Sequence, residues 1–239
     1  MELSLQKIVE IKSKIVLESN LHIGAGNMEM HIGGTDNPVL KHPHTLEPYI
    51  PGSSIKGKLR SLMELNGGTA AFSYSKSPRD GGIATFKTLQ EAQEPEKQQE
   101  IESILKIFGF SGSDKSGNDN KAELARKLGP TRASFSDCYL NREWKEKATA
   151  NLWPLAVEKS ETAIDRISGT AKRGSLRQTE MVPAGAEFDF KLTFKIFCDE
   201  DQKLLEKLKA GLKLMEKDAI GGNGSRGYGR FRFENLEEI

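Results

Sequence analysis

An α+β fold is predicted by two kinds of periodicity and by their order along the chain. Four segments alternate apolar with polar residues, and two segments carrying helical spacing fall between them. The clearest strand is 186–197, where Phe188, Phe190, Leu192, Phe194 and Ile196 alternate with Asp189, Lys191, Thr193 and Lys195, giving one buried and one wetter face. Residues 7–17 alternate through Val9, Ile11 and Ile15, residues 132–140 through Ala133, Phe135 and Tyr139, and residues 228–236 through Phe231 and Phe233. The first helix is predicted from Ile55, Leu59, Leu62 and Met63 behind a cap at Ser53 or Ser54, and the second from Leu204, Leu205, Leu208, Leu212 and Met215. The resulting order, β-α-β-β-α-β, is the ferredoxin-like arrangement on which RNA-recognition motifs are also built.

The connections depart from a minimal domain of that kind. Residues 18–52, 66–131 and 141–185 are each far longer than compact domains use, and loops of such length are functional or disordered. A third helix, with Ile101, Ile104, Leu105 and Phe108 on one face, falls in the second connection, and SGSDKSGNDN (111–120) has the composition of a flexible loop tip. There is no internal repeat, so 1–239 is read as one domain with three insertions.

Composition narrows the function classes. The chain has 239 residues, 36% of them hydrophobic, enough for a core, and no run approaches the roughly 20 apolar residues of a membrane span. MELSLQKIVEIK has neither a signal-peptide core nor a cleavage site, so a cytoplasmic protein without membrane contact is expected. Cys138 and Cys198 lie in apolar strand-like segments and read as buried reduced thiols rather than a disulfide or zinc site. The net charge is only +1, but cations cluster at Lys56, Lys58 and Arg60, at Arg166, Lys172, Arg173 and Arg177, and at Arg226, Arg230 and Arg232, while acid gathers between Glu91 and Glu102. Such segregation can leave a basic stripe for a phosphate backbone, or merely solvated faces.

Two motifs favour the stripe. GGNGSRGYGR (221–230) contains G-x-G-x-x-G at Gly222, Gly224 and Gly227, yet it follows a helix and precedes a strand, the reverse of a dinucleotide site, and no Lys-Ser/Thr follows in P-loop spacing. It remains a glycine loop whose amides can approach phosphate, with Arg226 and Arg230 for charge and Tyr228 for stacking. PYIPGSSIKGKLR (48–60) is a proline-bounded turn entering the first helix, where free N–H groups, Ser53, Ser54 and the following Lys56, Lys58 and Arg60 form an anion-binding site.

Together with LHIGAG (21–26), the Phe-Gly pair of ILKIFGF and EKSETAIDRISGTA, these motifs resemble the RAMP superfamily over nearly the whole chain. Within it they are most similar to the backbone subunit of the Csm complex, the type III-A CRISPR effector. The resemblance implies several copies in a filament beside other Csm subunits, with the guide RNA held in a palm flanked by fingers or a lid. A thumb, placed at 159–182, interrupts the duplex with the single-stranded target RNA. Its tip residues Ile164 and Ile167 would wedge between bases while Arg166 and Lys172 hold the backbone.

The resemblance also implies Mg²⁺- or Mn²⁺-dependent cutting of the target through one aspartate preceding a Ser/Asn-Pro-Val-Ile/Leu-Lys stretch. The match is TDNPVLK (35–41), so Asp36 is the expected catalytic and metal-binding residue; read from the residues alone it is an Asx turn before Pro38. His22 matches a family histidine, and reads as a satisfied strand-end histidine or an RNA phosphate contact. His42 and His44 lack partners of known metal geometry. Asp137, Glu158 and Glu180 match acidic family positions and read as structural or assembly residues. Two alternatives stand: a catalytically inactive backbone subunit, and a metal-independent endonuclease that processes the guide precursor.

Overall fold

A computed structural model describes residues 4–26, 36–110 and 119–239. Its centre is an antiparallel sheet of β1 (Lys7–Leu17), β3 (Ala133–Phe135), β7 (Glu187–Ile196) and β8 (Phe231–Glu238), in the order β3-β7-β1-β8. The β1–β7 register sets Val9 opposite Phe194, Ile11 opposite Leu192 and Ile15 opposite Phe188, so the alternating apolar residues of both strands share one face. Helices α1 (Gly52–Asn66) and α7 (Glu200–Met215) contribute Ile55, Leu59, Leu205, Leu208 and Leu212 to the same fully buried core. The two helices pack so closely that a Cβ on Gly211 would stand 2.7 Å from the Met63 sulfur.

The opposite face of the sheet is ionic. Glu10 pairs with Lys191 at 2.6 Å and Lys12 at 3.0 Å, and Lys14 with Glu143 at 3.3 Å and Glu187 at 3.5 Å. The sheet's phenylalanines instead turn inward, with Phe135 stacked on Phe108 and Phe233 against Phe190. An aromatic platform for bases on the sheet face, as an RNA-recognition motif has, is therefore missing among the described residues.

The segment 132–140, expected as one strand, is two. After β3 the chain leaves the main sheet, and β4 (Cys138–Tyr139) pairs instead with β2 (Tyr49–Ile50). The reason lies at Asp137, whose Oδ1 accepts the Gly52 amide at 2.8 Å and so turns the chain toward the start of α1. Gly52 is required there, because a Cβ would stand 2.5 Å from the Phe135 carbonyl oxygen. The cap of α1 is Pro51, without a side-chain cap bond, so Ser53 and Ser54 lie in the first turn rather than capping it. The last strand begins at Phe231, because Tyr228–Arg230 still belong to the glycine loop.

Among the described residues the second connection holds the α-helices α2 (Thr69–Lys76), α3 (Phe86–Glu91), α4 (Pro95–Phe108) and α5 (Asp119–Leu128). Most of the expected loop tip, 111–118, lies outside the described residues. The third connection forms α6 (Arg142–Ala150) and a hairpin of β5 (Val157–Glu161) with β6 (Arg177–Met181). No helix among the described residues is long and apolar enough to cross a membrane.

One buried ion pair joins β3 to α7. The Arg132 Nε donates to Asp201 Oδ1 at 3.1 Å, with 3% and 1% of the two side chains exposed, and Asp201 Oδ2 accepts the Phe197 amide at 2.9 Å. The guanidinium also donates to the carbonyls of Leu128 and Pro130 and lies 5.2 Å from the Phe197 ring centroid. Breaking such a pair from one side leaves an uncompensated buried charge, so Asp201→Ala is expected to cost about 3–5 kcal/mol of stability in urea unfolding, with Asp201→Asn milder.

Candidate nucleic-acid interface and cleavage site

The β5–β6 hairpin has one edge of β6 left over after β5 has paired, and the residues singled out in the sequence converge on it. Gln178 donates its amide to Asp36 Oδ2 at 2.9 Å and its carbonyl accepts the Asn37 amide at 3.2 Å. Glu180 donates its amide to the Asn37 carbonyl at 2.9 Å, and its carbonyl lies 2.7 Å from His22 Nδ1. Val182 then exchanges both backbone bonds with Leu21 at 2.8 and 2.9 Å. Asp36 and His22 thus contact β6 residues two apart, which is about 7 Å along a strand. Asp36 is exposed, and Thr35 lies outside the described residues.

A second tie holds the Asp36 segment from behind. Glu180 Oε2 accepts the Val39 amide at 3.0 Å and Oε1 pairs with Lys41 at 2.6 Å, while Val39 bridges Gly24 beside His22. Both carboxylate oxygens of Glu180 are therefore engaged in positioning the loop, and this agrees with its reading as a structural residue. His42 and His44 contact each other edge-on at 5.5 Å, with His42 also on Tyr139 at 5.8 Å. Among the described residues no three His, Cys, Asp or Glu side chains form a metal-ion group.

The glycine loop sits against His22, whose carbonyl accepts the Gly222 amide at 2.8 Å. Gly221 and Gly229 have φ of 74° and 73°, and a Cβ would meet the His22 and Ile220 carbonyl oxygens at 2.4 and 1.9 Å. Gly222, Gly224 and Gly227 are exposed, but the amides of Gly222 and Gly227 donate to the carbonyls of His22 and Gly224, which leaves Gly224 as the one of the three whose amide has no backbone acceptor among the described residues. The aromatic side chain of the loop is closed off. Tyr228 is 4% exposed, its hydroxyl donates to Glu161 Oε1 at 3.1 Å and Lys159 covers its ring at 5.2 Å, so it cannot stack on a base. Arg226, 45% exposed, donates to Glu161 Oε2 at 2.8 Å and to Asn223, and so also tethers the loop to β5.

Glu161 is the hub that the sequence did not reveal. Burial works to raise its pKa, but the Tyr228 hydroxyl, Arg226, Lys159 and Arg177 together bring it below the ordinary carboxylate range. Arg226 and Tyr228 are brought to it across a long chain separation, so no local spacing signals the role.

The first turns of α1 divide in the same way. Asp137 already occupies the Gly52 amide, and Ser53 is exposed while Ser54 is half-buried. Lys58 pairs with Asp218 at 2.7 Å. Arg60, expected at phosphate, turns inward: its Nε binds Glu64 at 2.9 Å and its other nitrogens the carbonyls of Ala84 at 2.7 Å and Gly109 at 3.2 Å, with 18% of the side chain exposed. It fastens the helical insertion to α1 instead of facing phosphate. Lys56 is half-buried, and burial, then the neighbouring Arg60 charge, lower its pKa; a phosphate would relieve both.

The far end of the β5–β6 hairpin is exposed. Ile164 bridges Ala171, and Asp165 Oδ1 accepts the amides of Ile167 at 2.9 Å and Ser168 at 3.0 Å, bonds that hold its carboxyl below the ordinary range. Ile164 and Ile167 are 67% and 98% exposed, and Arg166 and Lys172 stand on the same exposed tip. Away from this surface Cys138 is buried and its thiol is pushed up to about 12 by burial and Asp137, which leaves it inert, while Cys198 is half-buried.

The chain as a whole is similar to known proteins. The RAMP superfamily profile matches residues 14–232. The CRISPR system Cms endoribonuclease Csm3 of Methanocaldococcus jannaschii is 35% identical, over 99% of this chain and 83% of that protein. The Csm3 of Streptococcus thermophilus is 33% identical, over 96% of this chain and 88% of its own. A crystal structure of the Csm3–Csm4 subcomplex in the type III-A CRISPR-Cas interference complex is similar at a TM-score of 0.55 and 26% identity, covering 99% of this chain and 81% of that one. A Methanopyrus kandleri Csm3 crystal structure has a TM-score of 0.59 at 22% identity, over 96% and 76% of the two chains, and speaks to the fold alone. A profile match over most of the length, with relatives this similar across nearly all of it, means that the chain belongs to the RAMP superfamily, among the Csm3 endoribonucleases.

Proposed function

We propose that this chain is the repeating backbone subunit of a type III-A CRISPR effector, that it holds the guide RNA, and that it cuts guide-complementary target RNA beside its thumb. The observation that carries the reading is the exposed Asp36 carboxylate, fixed on the β6 edge at the root of a projecting hairpin. The relatives named as Csm3 endoribonucleases support the activity. The copies form a filament beside other Csm subunits in the cytoplasm. Its fold is read as one ferredoxin-like domain, for which the order β3-β7-β1-β8 and the core helices α1 and α7 argue. Residues 18–52, 66–131 and 141–185 are its insertions. The hairpin is the thumb, and the exposed glycine loop, Ser53, Ser54 and Lys56 line the guide-binding palm.

A metal-dependent step suits the residues present. One exposed carboxylate, with Oδ2 steadied by the Gln178 amide, fits an ion such as Mg²⁺ or Mn²⁺ that keeps several waters and draws further ligands from RNA phosphate. When bound, such an ion would neutralise charge building on the phosphate. In the cut itself the ribose O2′ bonds to the adjacent phosphorus, the P–O5′ bond breaks, O2′ loses its proton and O5′ gains one, leaving a cyclic phosphate and a 5′-hydroxyl. The chain's own part is to present Asp36 at a fixed height on β6 and to part the duplex with the hairpin tip.

Asp36→Ala is expected to abolish cutting of complementary RNA in Mg²⁺ or Mn²⁺ while target binding stays within a few-fold, because one carboxylate matters little to a grip spread over many cations. Undiminished cutting by the variant, or cutting that survives EDTA in the wild type, would move catalysis elsewhere. Replacing 164–170 by a Gly-Ser linker is expected to leave the fold intact and to blur the regular spacing of cuts, read by mapping product ends. Replacing Lys56, Arg166 and Lys172 by Ala should weaken RNA binding evenly across sequences and flatten its salt dependence by about 0.7 in slope per lost phosphate contact. Arg60→Ala, by contrast, should lower the melting temperature.

A further inference from the structure

We propose that His22 reads the sugar of the guide: its Nε2 accepts a hydrogen bond from a ribose 2′-hydroxyl, which makes it a determinant of RNA over DNA in the guide strand. This rests on the guide-binding reading above. A backbone carbonyl only accepts hydrogen bonds, so the 2.7 Å contact with the Glu180 oxygen places a proton on Nδ1. In the neutral ring Nε2 then carries a lone pair, and among the described residues no partner takes it. A lone pair repels phosphate and ether oxygens and calls for a donor. RNA offers donors as base amines or as the 2′-hydroxyl. Base amines change with guide sequence and are engaged in pairing, whereas the 2′-hydroxyl is present at every nucleotide and is what separates RNA from DNA.

The surroundings keep that edge of the ring open. A Cβ on Gly24 would stand 3.4 Å from Nε2 and one on Gly222 3.5 Å from Cδ2, so both neighbours are residues without the atom that would cover it. Gly222 is exposed and its amide is bonded to the His22 carbonyl, which sets the ring beside the loop, where the exposed Gly224 and Ser225 amides donate to no backbone carbonyl among the described residues and suit phosphate. A sugar between two phosphates held at this loop would present its 2′-hydroxyl to Nε2. The proton on Nδ1 and the β6 carbonyl that holds it act as the positioning device.

The test uses the assembled complex and guides carrying one 2′-deoxy nucleotide at each position of a repeat interval in turn. Guide retention is measured by competition against unmodified guide. In the wild type one position per interval should lose about three- to ten-fold, the range of a single hydrogen bond. His22→Ala should lose as much with the unmodified guide and nothing further with the deoxy guide at that position. Several results would overturn the proposal: a wild type indifferent to every deoxy position, a deoxy penalty that persists in His22→Ala, or His22→Lys holding the guide as well as wild type, which would make the contact a phosphate. A wild-type complex that retains no guide would overturn the guide-binding reading itself. Because the deoxy scan is made on the unaltered protein, a folding defect in a variant cannot mimic the result.

Discussion

The unpaired edge of β6 is the constraint on which the site depends. A hairpin has two outer edges, and here one of them is taken by two separate pieces of the chain in succession: the Asp36 side chain and Asn37 backbone, then the His22 ring and Leu21 backbone. Each N–H and C=O of Gln178, Glu180 and Val182 on that edge finds a partner, so the edge is blunted against pairing with another chain. The same bonds place the candidate cleavage residue and the candidate sugar reader on one ruler. The exposed tip is thus joined to Asp36 through a hydrogen-bonded strand pair.

A second principle is that the cations of a nucleic-acid surface divide by what holds them. Arg60, Lys58 and Arg226 lie in runs that look basic in sequence, yet each meets a carboxylate: Glu64, Asp218 and Glu161. Arg60 in particular exchanges water for one carboxylate and two carbonyls in a half-buried setting, where it organises the insertion. Lys56, Arg166, Lys172, Arg173 and Arg230 have no such anchoring ion pair among the described residues, and they are cations of these runs left to a phosphate backbone. The near-neutral overall charge thus conceals available cations beside others engaged in holding the scaffold. The sheet's outer face makes the same point, since its lysines and glutamates pair with one another and its aromatics face the core.

Much of this architecture is legible from sequence, and for local reasons. The alternation in 187–196 and in 7–17 appears as β7 and β1, and the helical spacing of Ile55, Leu59 and Met63 and of Leu205, Leu208 and Leu212 as α1 and α7, because burial of one face is written in the period of the apolar residues. Asp36, His22 and the glycine loop stand out through motif and resemblance. What stayed hidden depends on partners remote in the chain. The break between β3 and β4 follows from the Asp137 carboxylate meeting the Gly52 amide, the burial of Tyr228 from Glu161, and the inward turn of Arg60 from Ala84 and Gly109. A periodicity records which face of an element is dry; it does not record which distant group satisfies a polar atom. Tertiary structure alone decided that the hydroxyl of Tyr228 and the guanidinium of Arg60 bond to protein, because hydrogen bonds and ion pairs are made between atoms in space whatever their separation along the chain.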